Sequence, residues 1–229
     1  MTTLARRRDE EQMDDLALDP AVYDAVLRDL GRVNRWTFAA RPTLAFLARA
    51  TKGAERFSLL DVGFGDGGML RAVARWTSRK GMQAQLTGID LNPKSAAVAR
   101  ALTPTGAAID YRTGDYRDLG RFDIVISSLV AHHMSGEQLR DFLCWMEANA
   151  ERGWLVNDLH RHLFPYHGYP LLARLLGVHR IVREDGQLSI ARAFTPNDWR
   201  EILLDAGIPA DAVQVKRYFP FRLCVERLR

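Results

Sequence analysis

The chain has 229 residues, of which 47% are hydrophobic and 26% charged, a balance typical of one large globular domain. This composition excludes a disordered or collagen-like chain, and no apolar run reaches the roughly 18 residues that a membrane-spanning helix needs. The net charge of +4 is too small to predict nucleic-acid binding. The two widely spaced cysteines, Cys144 and Cys224, predict neither a thiolate metal site nor a disulfide framework. Because the N-terminus also lacks a signal peptide, we expect a cytoplasmic protein.

The first fifty residues are predicted to form an N-terminal helical cap, residues 1–50. The first dozen residues are strongly charged and are expected to be frayed. Asp19 followed by Pro20 predicts the start of a helix over about 20–37, because Asp caps a helix and Pro is favoured in its first turn. A second helix is expected over about 42–50.

From residue 57 onwards the chain alternates between short apolar runs and helical stretches. Strands are predicted at 57–62, 84–89, 107–111, 122–127 and 153–157, with helices at 93–102, 136–150 and from about 196 to 206. This alternation indicates an α/β fold, a parallel sheet with helices on both faces. Residues 212–228 are expected to add two strands that meet at Pro220, and the domain is predicted to span 51–229.

A glycine-rich turn follows the first strand, in the run LLDVGFGDGG. Gly63, Gly65 and Gly67 lie between a buried strand and a helix, where glycines let the backbone approach a nucleotide closely. Asp61 and Asp66 flank or interrupt the turn; carboxylates there repel a pyrophosphate but suit the ammonium and sulfonium of S-adenosylmethionine. The alternative is that Asp61 only orients the amides of the turn.

Acidic residues also follow the second and third strands. Asp90 is placed to accept hydrogen bonds from ribose hydroxyls, and the competing role of helix cap is weakened because Asn92 already offers one. Asp115 is within reach of an adenine amino group and Tyr116 of the ring, although Asp115 also suits a simple turn. The fourth strand ends at Ser127 and Ser128, at the edge where open α/β sheets bind ligands.

These signals, in this order, resemble the class I S-adenosylmethionine-dependent methyltransferases over about residues 40–229. The glycine turn is similar to the family's acidic-x-Gly-x-Gly-x-Gly pattern, and two later acids are similar to its ribose and adenine acids. The resemblance implies a Rossmann-like, seven-stranded, mostly parallel sheet with an antiparallel last strand. The residues expected to bind the donor are Asp61, Gly63, Phe64, Gly65, Gly67, Asp90, Leu91, Asp115, Tyr116, Ser127 and Ser128.

Two further runs narrow the resemblance to the small-molecule branch. The His132-His133 pair followed by SGEQL is similar to quinone and polyketide methyltransferases, and VNDLHRH to bacterial methyltransferases encoded beside type III polyketide synthases. The family's nucleobase motif (Asn/Asp-Pro-Pro-aromatic) and its protein-arginine loop are absent from the sequence. The pair Asn157-Asp158 reverses the order found in metal-dependent catechol-type enzymes, so no metal is expected.

Five of the six histidines lie between residues 132 and 167 and predict a polar acceptor pocket. Oxygen methylation requires removal of one proton, for which neutral imidazole is suited near pH 7. We expect His133 or His160 to be the general base, with His132, His162 and Arg161 contacting an acidic phenol or carboxylate. Two alternatives are open: histidines that only cap helices or satisfy core hydrogen bonds, and a weak metal pattern, Asp-x-His-x-His, at 158–162.

A lid insertion is predicted around 159–193. Its run from 163 to 177 is aromatic and aliphatic and contains no acid, which suits a cover over an apolar substrate that includes Tyr166. Arg35 and Trp36, at the end of the first helix, are expected to close the same pocket. A helix packed on the sheet and a membrane-surface contact are the alternatives.

The sequence thus predicts transfer of a methyl group from S-adenosylmethionine, leaving S-adenosylhomocysteine, to an oxygen of an aromatic or polyketide/quinone-like small molecule of secondary metabolism. Carbon is the less favoured acceptor atom. The alternatives are an NAD(P)-dependent oxidoreductase, disfavoured by Asp61 and the lack of a Tyr-x-x-x-Lys pair, and a non-catalytic nucleotide-binding regulator. A monomer or homodimer without a nucleic-acid partner is expected.

Overall fold

A computed structural model describes residues 4–229, and its core is one mixed sheet flanked by helices. The strands are β1 (Arg56–Val62), β2 (Gln83–Asp90), β3 (Ile109–Thr113), β4 (Phe122–Ser128), β5 (Ala150–Leu159), β6 (Gln214–Tyr218) and β7 (Arg222–Leu228). The helices are α1 (Pro20–Trp36), α2 (Ala40–Ala50), α3 (Gly68–Lys80), α4 (Pro93–Leu102), α5 (Gly136–Asn149), α6 (Leu163–Leu175), α7 (Arg180–Arg192) and α8 (Pro196–Asp205).

The seven strands follow the order β3-β2-β1-β4-β5-β7-β6. Strands β1 to β5 pair in parallel, whereas β7 runs antiparallel to both β5 and β6. The predicted α/β fold, with its reversed last strand and edge hairpin, is confirmed. The carboxyl ends of β1, β2, β4 and β5 therefore meet at one edge, where a ligand site is expected.

The helix starts follow from cap chemistry. The Asp19 carboxylate accepts hydrogen bonds from the amides of Ala21 and Val22, and Pro20 occupies the first turn of α1. Ser135 and Gln138 form a reciprocal capping box at the start of α5, as their spacing predicts.

Apolar side chains cover both faces of the sheet. One buried cluster includes Phe142, Trp154 and Trp199, and a second includes Phe46 and Leu59. Within residues 4–229, no helix has both the length and the hydropathy required to cross a bilayer.

The expectation of a frayed N-terminus is wrong for residues 4–12, while residues 1–3 lie outside the described part of the chain. The amide of Arg7 donates to the carbonyl of Ala191 (3.1 Å), and Glu11 is buried and accepts from the Ser189 hydroxyl (2.8 Å). The amide of Gln12 donates to Asp185 (3.1 Å). Polar groups on α7 thus hold this segment, and local sequence patterns carry no sign of such distant partners.

Candidate functional site

A cavity of about 950 Å³ opens at the carboxyl edge of the sheet. Its floor is formed by the turns after β1, β2, β4 and β5, and its sides by α1, α6, α7 and the N-terminal segment, which we define as residues 4–18. The cavity is large enough for a nucleoside-sized ligand together with a small second molecule.

The glycine turn forms one wall of the cavity. Gly63 has φ +75°, and a Cβ on it would lie 2.4 Å from a methyl carbon of Val130. Gly67 also has φ +75°, and a Cβ there would lie 2.5 Å from the Tyr111 hydroxyl. Only glycine fits these two positions, because both the left-handed backbone and the close neighbours exclude a side chain.

Asp61 lies buried under this turn and not on the cavity wall. Its Oδ1 has no hydrogen-bond partner in the described part of the chain. Burial, together with the nearby charges of Asp90 and Asp66, raises its pKa well above the usual value for a carboxyl group. Asp66, in contrast, forms an ion pair with Arg71 (3.0 Å). An orphaned buried carboxylate beside the turn fits a ligand with a cationic group.

Asp90 lies on the cavity wall at the end of β2. Its carboxylate accepts hydrogen bonds from the amides of Gly65 and Asn92, each at 2.9 Å. Burial raises its pKa, an effect that these two amides oppose. The carboxylate is thus held at the cavity by the glycine turn, in a position suited to hydroxyl donors.

The other predicted donor contacts are divided between the cavity wall and its surroundings. Asp115 is tied to Arg117 (2.7 Å) off the cavity wall, and the Ser127 hydroxyl donates to the carbonyl of Val62 (2.9 Å). Tyr116 lines the cavity and packs edge-on against Phe142. Of the predicted donor contacts, the structure brings Gly63, Phe64, Gly65, Asp90, Leu91, Tyr116 and Ser128 to the wall, but not Asp61, Gly67, Asp115 or Ser127.

His132 and Asp158 form a buried pair on the same wall. Nδ1 of His132 lies 2.7 Å from Asp158 Oδ1, and the His132 amide donates to Oδ2 (3.0 Å). Burial raises the pKa of Asp158, but the charge and hydrogen bonds of His132 outweigh this and lower it. An ionised Asp158 requires the proton on Nδ1, which leaves Nε2 of the neutral ring as an acceptor.

His133 is paired in the same way, with a carboxylate from the N-terminal segment. Its Nδ1 lies 2.8 Å from Asp14 Oδ2. Burial raises the pKa of Asp14, but the hydrogen bond and charge of His133, together with the charges of Arg192 and His132, outweigh this and lower it. Nε2 of His133 is therefore an acceptor too when the ring is neutral.

Glu11 lies between the two histidines. Its carboxylate oxygens are 3.6 Å from His132 Nε2 and 3.8 Å from His133 Nε2. Burial, partly offset by His133 and Ser189, raises its pKa to about 7. These three side chains have ligand atoms within 4.8 Å of one another, as in a metal site. However, the Arg192 guanidinium lies 3.9 Å from Glu11 Oε1, where it repels a divalent cation.

The remaining predicted acceptor contacts separate into two groups. His160 is buried on the wall, and burial together with the charge of Arg217 lowers its pKa to about 4. Off the wall, Arg161 pairs with Asp198 (2.7 Å) and His162 caps α6. The structure also leaves Arg35, Trp36 and Tyr166 outside the cavity lining.

Four polar residues that line the cavity or contact its lining are not predicted as site residues from the sequence. Glu11 lies in the stretch that is expected to be frayed, Asp14 has no predicted role, and Asp158 is predicted only as a weak metal ligand. Arg222, at the start of β7, is buried on the cavity wall. A buried strand that begins with arginine is the one signal in the sequence that points to it.

Comparisons with known proteins agree with this geometry. Residues 59–152 match the family described as Methyltransferase domain. No curated protein sequence matches the chain significantly.

Solved structures of methyltransferases share the fold. Magnesium protoporphyrin IX methyltransferase from Synechocystis PCC 6803, with bound S-adenosylhomocysteine, is 20% identical over 94% of this chain and 90% of its own, with a TM-score of 0.58. Human N-acetylserotonin methyltransferase, in complex with S-adenosylmethionine, is 16% identical over 92% and 56%, with a TM-score of 0.63. The plantazolicin methyltransferase BpumL, in complex with S-adenosylhomocysteine, is 13% identical over 91% and 96%, with a TM-score of 0.64.

The matched family covers the glycine turn, the Asp90 carboxylate and the His132-His133 pair. The orphaned Asp61 carboxylate and the wall of the cavity fit the cationic donor that this fold binds. Residues 59–152 therefore carry a methyltransferase domain, in a chain whose fold is that of methyltransferases solved with S-adenosylmethionine or S-adenosylhomocysteine.

Proposed function

We propose that the protein methylates an oxygen of a small molecule and that His133 accepts the proton of the acceptor hydroxyl. The observation that carries this proposal is the pairing of both His132 and His133 with a carboxylate through Nδ1, on the wall of the cavity that also holds Asp90. Such pairing fixes the tautomer and leaves Nε2 free to accept a proton.

The methyl donor is already activated, so the protein has to do little for it beyond binding. When bound, S-adenosylmethionine supplies a methyl group activated by its positive sulfonium. Asp90 would hold the ribose hydroxyls, and Asp61, buried under the glycine turn, would compensate the positive amino end of the donor through its charge. The protein then has to align the acceptor oxygen, exclude water and remove one proton.

His133 is a better base than His160, the other predicted candidate. A pKa of about 4 means that His160 is neutral at pH 7 but a weak proton acceptor. For His133, the ionised Asp14 stabilises the imidazolium that forms when a proton arrives. His132 has the same arrangement with Asp158 but is more deeply buried, which suits a positioning role.

The walls of the acceptor half favour an apolar molecule. Leu30 and Val33 of α1 face this space together with Leu172 of α6 and Val182 of α7. An aromatic or polyketide/quinone-like acceptor of secondary metabolism fits these walls, with its hydroxyl at the histidines. Oxygen is favoured over carbon because a histidine base matches the acidity of such hydroxyls.

The cytoplasmic location and the monomeric or dimeric state are part of this proposal.

Replacement of His133 tests the assignment. The purified protein is incubated with S-adenosylmethionine and a panel of phenols, hydroxyquinones and hydroxypyrones, and formation of S-adenosylhomocysteine is followed. We expect His133→Asn to lower kcat by about 100-fold, as for loss of a general base, without a change in affinity for S-adenosylhomocysteine. His167→Asn, at an exposed position of α6, is the matched control and should retain full turnover. A loss in His160→Asn but not in His133→Asn would contradict the assignment.

A further inference from the structure

Arg222 is a buried cation with no carboxylate hydrogen-bonded to it in the described part of the chain. The side chain is only 3% exposed, and burial lowers its pKa. Nη2 donates to the side-chain oxygens of Asn34 (3.2 Å) and Thr37 (3.4 Å). Nε and Nη1 have no acceptor among residues 4–229. Because unpaired buried charges are costly, a guanidinium with free donors on a cavity wall points to an anionic ligand.

Asp158 is the carboxylate that acts on Arg222 most strongly, but it does not pair with it. Its charge raises the pKa of Arg222, against the effect of burial. Its oxygens, however, accept hydrogen bonds from the amide and ring of His132 and from the amide of Leu159. Asp158 therefore leaves Nε and Nη1 of Arg222 without a hydrogen-bond acceptor.

The position of Arg222 in the sheet places it on the acceptor side. In the strand order, β7 is four places from β2 and three from β1. At about 4.8 Å between strands, this corresponds to about 19 Å from the end of β2 and about 14 Å from the glycine turn. Arg222 pairs in register with Leu159, next to Asp158. It lies two strands from β4, and the turn after β4 carries His132 and His133, the part of the cavity lining that we call the histidine wall. An anionic group bound at Arg222 would therefore belong to the methyl acceptor and not to the donor.

We propose that Arg222 binds an anionic oxygen group of the methyl acceptor, with a carboxylate as the type case, and so selects acidic acceptors. This inference rests on the proposed function, because it assumes that the acceptor occupies the space between α1, α6 and β7. The apolar walls of α1 and α6 would hold the body of the acceptor while Arg222 holds its charged end. A charged group fixed at one end would orient the acceptor relative to the histidines.

The test uses two probes, decanoate and decanamide, which have the same alkyl chain but differ in the charge of the head group. Each probe is titrated into protein that is saturated with S-adenosylhomocysteine. Calorimetry should give at least tenfold tighter binding of decanoate to the wild type. Arg222→Gln should remove this preference, whereas Arg227→Gln, on the same strand and paired with Glu147, should retain it. Affinity for S-adenosylhomocysteine should be the same in all three proteins.

Three other results would overturn the inference. Equal binding of the two probes to the wild type, or an unchanged preference in Arg222→Gln, would exclude an anion subsite at Arg222. Weaker binding of S-adenosylhomocysteine by Arg222→Gln would assign the arginine to the carboxylate of the donor. Arg222→Lys, which keeps the charge, should retain part of the decanoate preference and serves if the glutamine variant does not fold. Failure of the wild type to bind S-adenosylhomocysteine would instead contradict the proposed function itself.

Discussion

At the scale of single residues, Asp61 carries a cost in stability that the proposed donor site would explain. Its carboxylate is buried with one unpaired oxygen, and its pKa is raised well above the usual range. A raised pKa means that the protein is most stable where the group is protonated and loses stability as pH rises above about 4. In the proposed function, a cationic ligand near Asp61 would offset this cost.

Replacement of the Asp61 carboxylate should separate its effect on stability from its effect on ligand affinity. We expect Asp61→Asn without ligand to unfold at a temperature several degrees higher than the wild type, since about 1 kcal/mol corresponds to about 2–4 °C in a chain of this size. The gain should be larger at pH 8 than at pH 5. Affinity for S-adenosylhomocysteine should fall at least tenfold, because the charge of the buried carboxylate attracts the ammonium group of the ligand through a low-dielectric interior. Thermal unfolding and calorimetry measure both; a variant that binds as tightly as the wild type would refute the role of Asp61.

At the scale of elements, the N-terminal segment (residues 4–18) provides Glu11 and Asp14 to the histidine wall. It is held on α7 through Ser189 and Asp185, and Arg192 donates to the carbonyl of Asp9 (2.8 Å). The segment is therefore a structural part of the site.

The docking of this segment should depend on pH through Glu11, which faces His132, His133, Asp14 and Arg192. Because burial raises its pKa to about 7, its contribution to stability is full below about pH 4.5 and is lost as pH rises through 7. We expect hydrogen exchange in residues 8–15 to be slower in Glu11→Gln than in the wild type at pH 8, with a smaller difference at pH 5. Equal exchange at both pH values would show that Glu11 does not control docking.

The elements that were predicted correctly are those determined by local patterns. The Ser135-Gln138 capping box and the alternation of strands and helices depend on residues within a few positions of one another. The partners of the histidines do not: Asp14 and His133 are 119 positions apart, and Asp158 and His132 are 26 apart. Only the folded chain brings such pairs together, so the histidine wall could be located from the sequence but its carboxylates could not.

At the scale of the whole molecule, the cavity joins both ends of the chain, since the N-terminal segment and β7 border it together with the middle of the sheet. A ligand that fills it should therefore stabilise the entire fold. At 100 times its dissociation constant, S-adenosylhomocysteine should add about 2.7 kcal/mol to the free energy of unfolding and raise Tm by about 5–10 °C. Scanning calorimetry at two ligand concentrations measures this shift.

A chelator provides the matched control for that experiment. Arg192 already supplies positive charge beside Glu11, so EDTA should change neither Tm nor turnover. A loss of turnover in EDTA that zinc or magnesium restores would assign Glu11, His132 and His133 to a metal.

Because α7 keeps the N-terminal segment in place at the cavity, removal of that segment should change the chemistry of the cavity. A chain that starts after Asp15 would keep the glycine turn and Asp90 but lose the carboxylates that face both histidines. Under the proposed function, such a chain would still bind the donor and its demethylated product but would turn over the acceptor more slowly.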